Sequence, residues 1–383
     1  MEPFKNFISP DLVTCIADHL EVHLSTFNRV LFEETILKEL DGLELKARAQ
    51  LIADHLHVVL PEDHKTRHKI IREMLHPADD FEGGKQSDAD GICGWGMMPL
   101  GLVIGQHGLA AFDESLLLLK EMTIRFTSEF DVRYFLLADQ ERALAIMQGW
   151  INDPNRHVRR LVSEGTRPRL PWAMQLPGLL ANPSPTLPLL EALRDDDEEY
   201  VRRSVANHLN DIAKDHQDLV ANLAKQWMKN ADKNREKLVR HACRSLIKQG
   251  HTTALEAFGL NPPEIKLRKI GIENRNVIFG NSLNFSVELI STSEKQQDLI
   301  IDYVMHFLKA NNKRSAKVFK WKKLTLKAGE SLSIEKAHPI RAITTRRYYP
   351  GTQALSLRIN GKDFGMEEFN LAMTDNEQQS WKK

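Results

Sequence analysis

Three times in the middle of the chain a Val-Arg pair follows an acidic or Asn-bearing turn and opens an amphipathic stretch. The copies are Val158-Arg159-Arg160 after Asp153-Pro154-Asn155, Val201-Arg202-Arg203 after Asp195-Asp196-Asp197, and Val239-Arg240-His241 after Asp232-Lys233-Asn234. They lie 43 and then 38 residues apart. A repeat of roughly 40 residues, built from a turn and helices, is too small to bury its own apolar face, so such units must stack on their neighbours as a helical solenoid. Aligning the first two copies sets Ser163-Glu164-Gly165 opposite Ala206-Asn207-His208, and the copies differ there.

The helical regime reaches well beyond these copies. Apolar residues recur at three- and four-residue spacing over 9–22, 27–40, 44–60, 64–76, 98–109, 113–126, 130–138 and 140–151, then over 155–164, 172–181, 186–192, 198–213, 217–229, 234–249 and 251–257. Asp79 to Gly91 reads as a polar, Gly-rich loop, and Asn261-Pro262-Pro263 stops the helices. Beyond it the period becomes two. Segments 265–273, 283–290, 299–309, 317–326, 331–336, 339–345, 353–359 and 364–371 alternate apolar and polar residues between Gly or Asn turns. The expected fold is mainly α: a HEAT-like α-solenoid over 1–260, an all-β immunoglobulin-like sandwich over 264–373 and a polar tail at 374–383.

With 383 residues the chain exceeds one core, in keeping with two domains. Its net charge of zero hides an asymmetry: residues 1–263 hold 31 basic and 39 acidic side chains, whereas 264–383 hold 21 and 13. A basic final third suits a polyanion, although strand-edge lysines also block aggregation. No apolar run approaches bilayer length, and Glu2, Asp11 and Asp18 sit where a secretion signal would be basic and then apolar. Cys15, Cys93 and Cys243 are too dispersed for a disulfide framework or a metal box. A cytosolic monomer without metal, cofactor or membrane partner is expected.

Four local sequences sharpen the pairing of helical array and sandwich. They are Gly94-Trp95-Gly96-Met97-Met98-Pro99-Leu100, Glu129-Phe130-Asp131-Val132-Arg133, Ser163-Glu164-Gly165-Thr166-Arg167-Pro168-Arg169-Leu170-Pro171-Trp172, and Val201 to Lys214 with His208-Leu209-Asn210-Asp211. Together they resemble the AlkC family of DNA glycosylases, of the AlkC/AlkD HEAT-repeat superfamily, over essentially the full length. The resemblance implies a monofunctional base-excision repair enzyme acting on double-stranded DNA that carries alkylated bases. It implies release of cationic N3-alkylated bases, chiefly 3-methyladenine, without the usual extrusion of the nucleotide, and a sandwich that grips DNA and aids bending.

An N3-alkylated adenine is already cationic and leaves as a neutral base, so acid catalysis matters little. What remains is positive charge building on the sugar, which calls for carboxylates to stabilise it and hold water, and an aromatic face against the lesion. Glu129, Glu164 and Asp211 are the expected carboxylates, and Trp172 the aromatic. Glu129 is read as opening the 130–138 helix behind a Ser128 cap, with Asp131 a solvated first-turn charge. Glu164 ends its helix against the macrodipole, a local violation of the kind functional positions show; its bland alternative is a surface glutamate bonded to Arg167 or Arg169. Asp211 lies on the next repeat, where an inter-repeat salt bridge is the alternative. Trp172 is read as starting a helix, or else filling a seam; Trp95, Trp150 and Trp227 are read as packing residues.

Arg160, Arg167, Arg169 and Arg203 are candidate phosphate contacts, with Arg160 and Arg203 at equivalent repeat positions; bridging to acids on a neighbouring repeat is the alternative. In the sandwich, Lys313-Arg314 and Arg346-Arg347 on loops are candidates for backbone or narrow-groove contact. The competing function is a non-catalytic scaffold that binds nucleic acid or protein.

Overall fold

The computed structural model describes residues 3–77, 86–343 and 346–374. All but Thr374 of the expected tail, residues 79–85 of the Gly-rich loop, and Thr344-Thr345 lie outside them. The helices, in chain order, are α1 Pro10–His23, α2 Arg29–Leu40, α3 Leu45–Val59, α4 His64–Met74, α5 Met97–His107, α6 Phe112–Met122, α7 Val132–Ala138 and α8 Gln140–Gln148. There follow α9 Arg156–Gly165, α10 Pro177–Ala181, α11 Leu187–Leu193, α12 Glu199–Ile212, α13 Gln217–Trp227, α14 Lys233–Ala242, α15 Arg244–Gln249 and α16 Thr252–Glu256. By compactness the chain parts into residues 1–215 with 232–242, and residues 216–231 with 243–383. Thus α13, α15 and α16 belong to the unit that carries the strands.

In the helical unit, side chains of Ser9, Asn28, Asp63, Asp139 and Asn155 accept backbone N–H bonds at the starts of α1, α2, α4, α8 and α9. The Val-Arg copies form α9, α12 and α14, which pack side by side. Val158, Val201 and Val239 are buried at these seams, each stabilising by about 1.5–3 kcal/mol relative to exposure. In the first two copies the following arginine staples the turn that precedes it. Arg159 Nη1 donates to the Asp153 and Pro154 carbonyls at 2.8 and 3.0 Å, and Arg202 Nη1 to that of Asp197 at 2.8 Å. Arg159 also grips Asp196 of the next turn with two hydrogen bonds of 2.6 and 3.0 Å, while Arg235 holds Asp195 across the next seam. The acidic turn of the middle copy thus receives arginines from both neighbouring copies. No single helix among the described residues is long and apolar enough to cross a membrane.

Local readings fail where tertiary contacts override them. The segment 172–181 is helical only from Pro177, and Trp172 instead has a left-handed φ of 66°. The 130–138 helix starts at Val132, leaving Glu129 in the preceding turn. Ser128 is not its cap; its hydroxyl donates to the Leu119 carbonyl at 3.0 Å. The 234–249 helix divides at Cys243 into α14 and α15.

The strands are β1 Ile265–Ile272, β2 Asn276–Ile278, β3 Ser282–Ser291, β4 Gln297–Leu308, β5 Arg314–Leu326, β6 Ser331–Pro339, β7 Gly351–Ile359 and β8 Lys362–Ala372. One sheet runs β1-β3-β6 and the other β2-β8-β7-β4-β5. All pairings are antiparallel except β2 with β8. Phe285, Val287, Tyr303, Met305, Leu355, Leu357 and Phe369 fill the space between the sheets, the alternation of β3 being the plainest in sequence. The 331–336 strand runs on to Pro339, and Ile340 to Ile343 is not a strand. β2 was too short to announce itself. Gly250 after α15 and Gly361 between β7 and β8 both have positive φ, and a Cβ on Gly250 would lie 2.4 Å from the Gly361 Cα. Neither position tolerates a side chain.

Candidate active site

In the helical unit, one chain of alternating charges brings the expected carboxylates together. Arg160 Nη1 lies 2.7 Å from Glu129 Oε2, and Arg160 Nη2 lies 3.5 Å from Glu164 Oε1. Arg167 Nη1 donates to Glu164 Oε1 at 2.6 Å, and its Nε to Asp211 Oδ2 at 2.8 Å. The order is thus Glu129, Arg160, Glu164, Arg167, Asp211. Neighbouring hydroxyls and an ammonium complete it: Thr127 Oγ1 donates to Glu129 Oε2 at 2.8 Å, Ser204 Oγ to Glu164 Oε2 at 2.6 Å, and Lys214 Nζ to Asp211 Oδ1 at 2.8 Å. Glu164 and Asp211 each have both oxygens engaged. Glu129 Oε1 carries none of these bonds.

All three carboxylates are 9% exposed or less. Burial pushes the Glu164 carboxyl up, but Arg160, Arg167 and the Ser204 hydroxyl outweigh it and hold the group below its ordinary range. The same two guanidinium groups offset the macrodipole penalty of an acid at the end of α9. Glu164 is therefore not a surface glutamate. Asp131 corrects a second expectation: it is buried rather than solvated, against Gly101 of α5, where a Cβ would lie 2.2 Å from Oδ2. Burial, reinforced by Glu129, raises its carboxyl well above the usual range, the opposite of the shift at Glu164. His208 of α12 is fully buried, with Nδ1 2.9 Å from the Ser163 carbonyl, and burial lowers its pKa to about 4.

Glu129, Glu164 and Arg167 form the polar edge of a cleft of about 500 Å³, otherwise lined mainly by aromatic and aliphatic side chains, among them Trp95, Phe126, Phe130, Tyr134 and Trp172. Trp172 is 61% exposed, unusual for an indole that meets an apolar cavity. Its ring meets Phe4 edge-on at 6.3 Å, and its carbonyl accepts from Lys46 Nζ. Trp95 is half-buried, stacked on Phe7 at 5.5 Å, and thus a wall of the cleft as well as a packing residue. Trp150 and Trp227 are buried as expected. Asp211 lies behind Arg167, outside the lining.

The expected phosphate contacts divide. Arg167 is buried and Arg160 half-buried among the carboxylates, and they form no outward row with Arg203, which is exposed and paired with Glu199. Arg169 pairs with Asp215 at 2.9 Å. In the other unit Lys313 is exposed, Arg314 reaches Glu368, Arg346 lies 4.0 Å from the Phe307 ring centroid, and Arg347 lies 5.3 Å from that of Tyr349.

Comparison with known proteins extends over nearly the whole chain. The chain is similar to the Pseudomonas fluorescens alkylpurine DNA glycosylase AlkC, solved bound to DNA containing an abasic-site analog, with 33% identity and a TM-score of 0.80, covering 97% of this chain and all of that one. This chain belongs to the AlkC family. Residues 130–246 match the family model described as DNA alkylation repair enzyme, and 266–373 match that of the C-terminal Ig-like domain of the uncharacterised protein YhaZ. The uncharacterised YhaZ of Bacillus subtilis (strain 168) is 36% identical over 364 residues, covering 94% of this chain and 97% of that protein. For this AlkC-family member, sequence reasoning missed Thr127, Ser204, Arg133 and the aromatic walls beside Trp172. The signal was present in Phe126-Thr127-Ser128-Glu129-Phe130 and in Arg133, but which of these residues face inward depends on helix packing.

Proposed function

We propose that the protein is a monofunctional DNA glycosylase that hydrolyses the N-glycosidic bond of cationic N3-alkylated bases, chiefly 3-methyladenine, in duplex DNA, without extruding the nucleotide. It acts as a monomer in the cytosol and needs no metal or cofactor. The observation that carries this reading is the meeting of Glu129, Glu164 and an exposed indole at one cleft, with Asp211 joined through Arg167.

The reaction needs negative charge near a sugar that becomes electron-poor, and an oriented water. Pairing with Arg160 and Arg167 fixes the carboxylates in place before substrate arrives, which is where electrostatic catalysis gains most. Glu129 is the group with an acceptor to spare: its Oε1 can take a water proton or face the sugar, while Glu164 and Asp211 set the local field. Trp172 packs on the cationic base, worth about 0.5–2 kcal/mol depending on desolvation. Arg169, Arg203, Lys313, Arg314, Arg346 and Arg347 supply positive charge to phosphates by exchanging their present partners. Arg160 and Arg167 serve the carboxylates instead.

Chromatography of bases freed from methylated duplex by the purified protein tests the activity. Single-turnover rates of Glu164→Gln and Asp211→Asn test the roles, and full rates in both reject them. Borohydride trapping of a covalent adduct would count against the monofunctional route. DNA affinity without any freed base would make the protein a scaffold.

A further inference from the structure

Arg133 of α7 is fully buried, yet it touches neither the carboxylates nor the cleft. Its guanidinium meets the main-chain carbonyl of Gly165, the last residue of α9, and two carbonyls of the loop that follows. Nε donates to the Met174 carbonyl at 2.7 Å, and Nη1 donates to those of Gly165 at 2.9 Å and Arg167 at 2.8 Å. Nη2 is buried with no hydrogen-bond partner. A buried cation with an unused donor is costly, and three carbonyls, two of them on the loop, are a modest return if the loop had no task. The loop is the segment that leaves α9 beyond Glu164 and returns as Leu176 leads into α10.

This loop carries two groups of the site. Near its start Arg167 bridges Glu164 and Asp211, and near its end Trp172 sits in a left-handed backbone conformation. An L-residue with a bulky side chain avoids that conformation unless surrounding structure imposes it. Arg133 holds the carbonyls on both sides of Trp172, at Arg167 and Met174. The planar fork of a guanidinium can meet carbonyls in several directions at once, which a lysine ammonium does less well.

We propose that Arg133 is a positioning residue that sets Arg167 and Trp172 together, so that the carboxylate pair and the indole share one geometry across the cleft. This rests on the glycosylase reading. Release of base by the native protein tests that reading, while the variants below test Arg133.

The experiment compares Arg133→Lys, Arg133→Gln and Arg133→Gly in the full chain. Single-turnover base release, DNA affinity by anisotropy, unfolding, and acrylamide quenching of Trp172 fluorescence are measured, each against a Trp172→Phe background to isolate that indole. Displacement of catalytic groups by about an ångström costs on the order of 100-fold in rate. Folded Arg133→Gln or Arg133→Lys is expected to lose 10- to 100-fold in single-turnover rate, within the reach of that estimate. DNA affinity is expected to stay within about threefold and Trp172 to become more quenchable, since of the proposed phosphate contacts Arg169 alone lies on the loop that moves. Added guanidinium, at concentrations too low to unfold the protein, is expected to restore part of the rate of Arg133→Gly. A folded variant with native rate and native quenching overturns the proposal. So does loss of rate in step with loss of folded protein, without rescue by guanidinium. If the native protein frees no base, the glycosylase reading falls, and quenching alone decides whether Arg133 orders the loop.

Discussion

Replacing Glu129 and Glu164 separately by glutamine should divide stability from rate, because the two acids are bonded so differently. Glu164 accepts from Arg167 and Ser204 and pairs with Arg160, leaving no free oxygen. Its glutamine form must turn an amide N–H₂ either toward a guanidinium or toward Ser204. The hydroxyl can rotate to accept, but buried Arg167 and half-buried Arg160 each lose a charge partner. Removing one partner of a buried pair costs roughly 3–5 kcal/mol, and the retained carbonyl reduces this to about 2–3 kcal/mol by keeping one bond to Arg167. Glu129 loses less: it meets Arg160 and Thr127 through Oε2 alone, so glutamine with its oxygen on that side costs about 1 kcal/mol. In rate the order reverses. Loss of the free Oε1 acceptor should slow single-turnover release by at least about 100-fold, some 2.7 kcal/mol of barrier. Urea unfolding gives the stabilities, and rapid-quench release of base from methylated duplex gives the rates. Glu129→Gln proving the less stable of the two, or keeping its rate, would refute the division of roles drawn from the bonding.

Three further outcomes follow from the coordinates. His208 is neutral in the folded state because burial lowers its pKa from 6.5 to about 4; the unfolded chain takes up the proton first, so stability should fall as pH drops from 6.5 to 4, by about 3 kcal/mol from this group. That part of the slope should be missing in His208→Gln when unfolding is measured across the range. Asp131 has its carboxyl raised, so its folded form resists ionisation and loses stability as pH climbs above the unfolded value. Asp131→Asn should therefore gain on the order of 1 kcal/mol at pH 7 and converge with the native protein near pH 4; equal pH profiles by chemical unfolding would reject this. In the strand-bearing unit, Gly250→Ala places a Cβ against the Gly361 backbone at positive φ and should cost at least about 2 kcal/mol, read as a lowered melting temperature. An unchanged melting temperature would show that the contact relaxes freely.

The sequence alone determined what depends on local period and on pairwise contact across a repeat. The switch from a spacing of three and four to a spacing of two separated helices from strands at Asn261-Pro262-Pro263, because side chains on a helix and on a strand reach a core at those intervals and no others. The Val-Arg copies announced stacked helices, since the valine is buried in each and in the first two the arginine clasps the acidic turn beside it. Glu164 drew notice by breaking the macrodipole rule. The facing of each charge, by contrast, comes from packing between distant segments and is carried by no local pattern. Arg160 and Arg203 hold the same place in their repeats, yet one is enclosed by two carboxylates and the other lies in solvent, because Glu129 arrives from a turn more than thirty residues earlier. Asp131 looked like a solvated helix-start acid until Gly101 closed over it. Trp172 sits in a left-handed turn, not a helix, because carbonyls around it are held by Arg133 and Lys46 from distant helices. Burial and partner are properties of the packed chain, and they set both the charge of an acid and the direction of an indole.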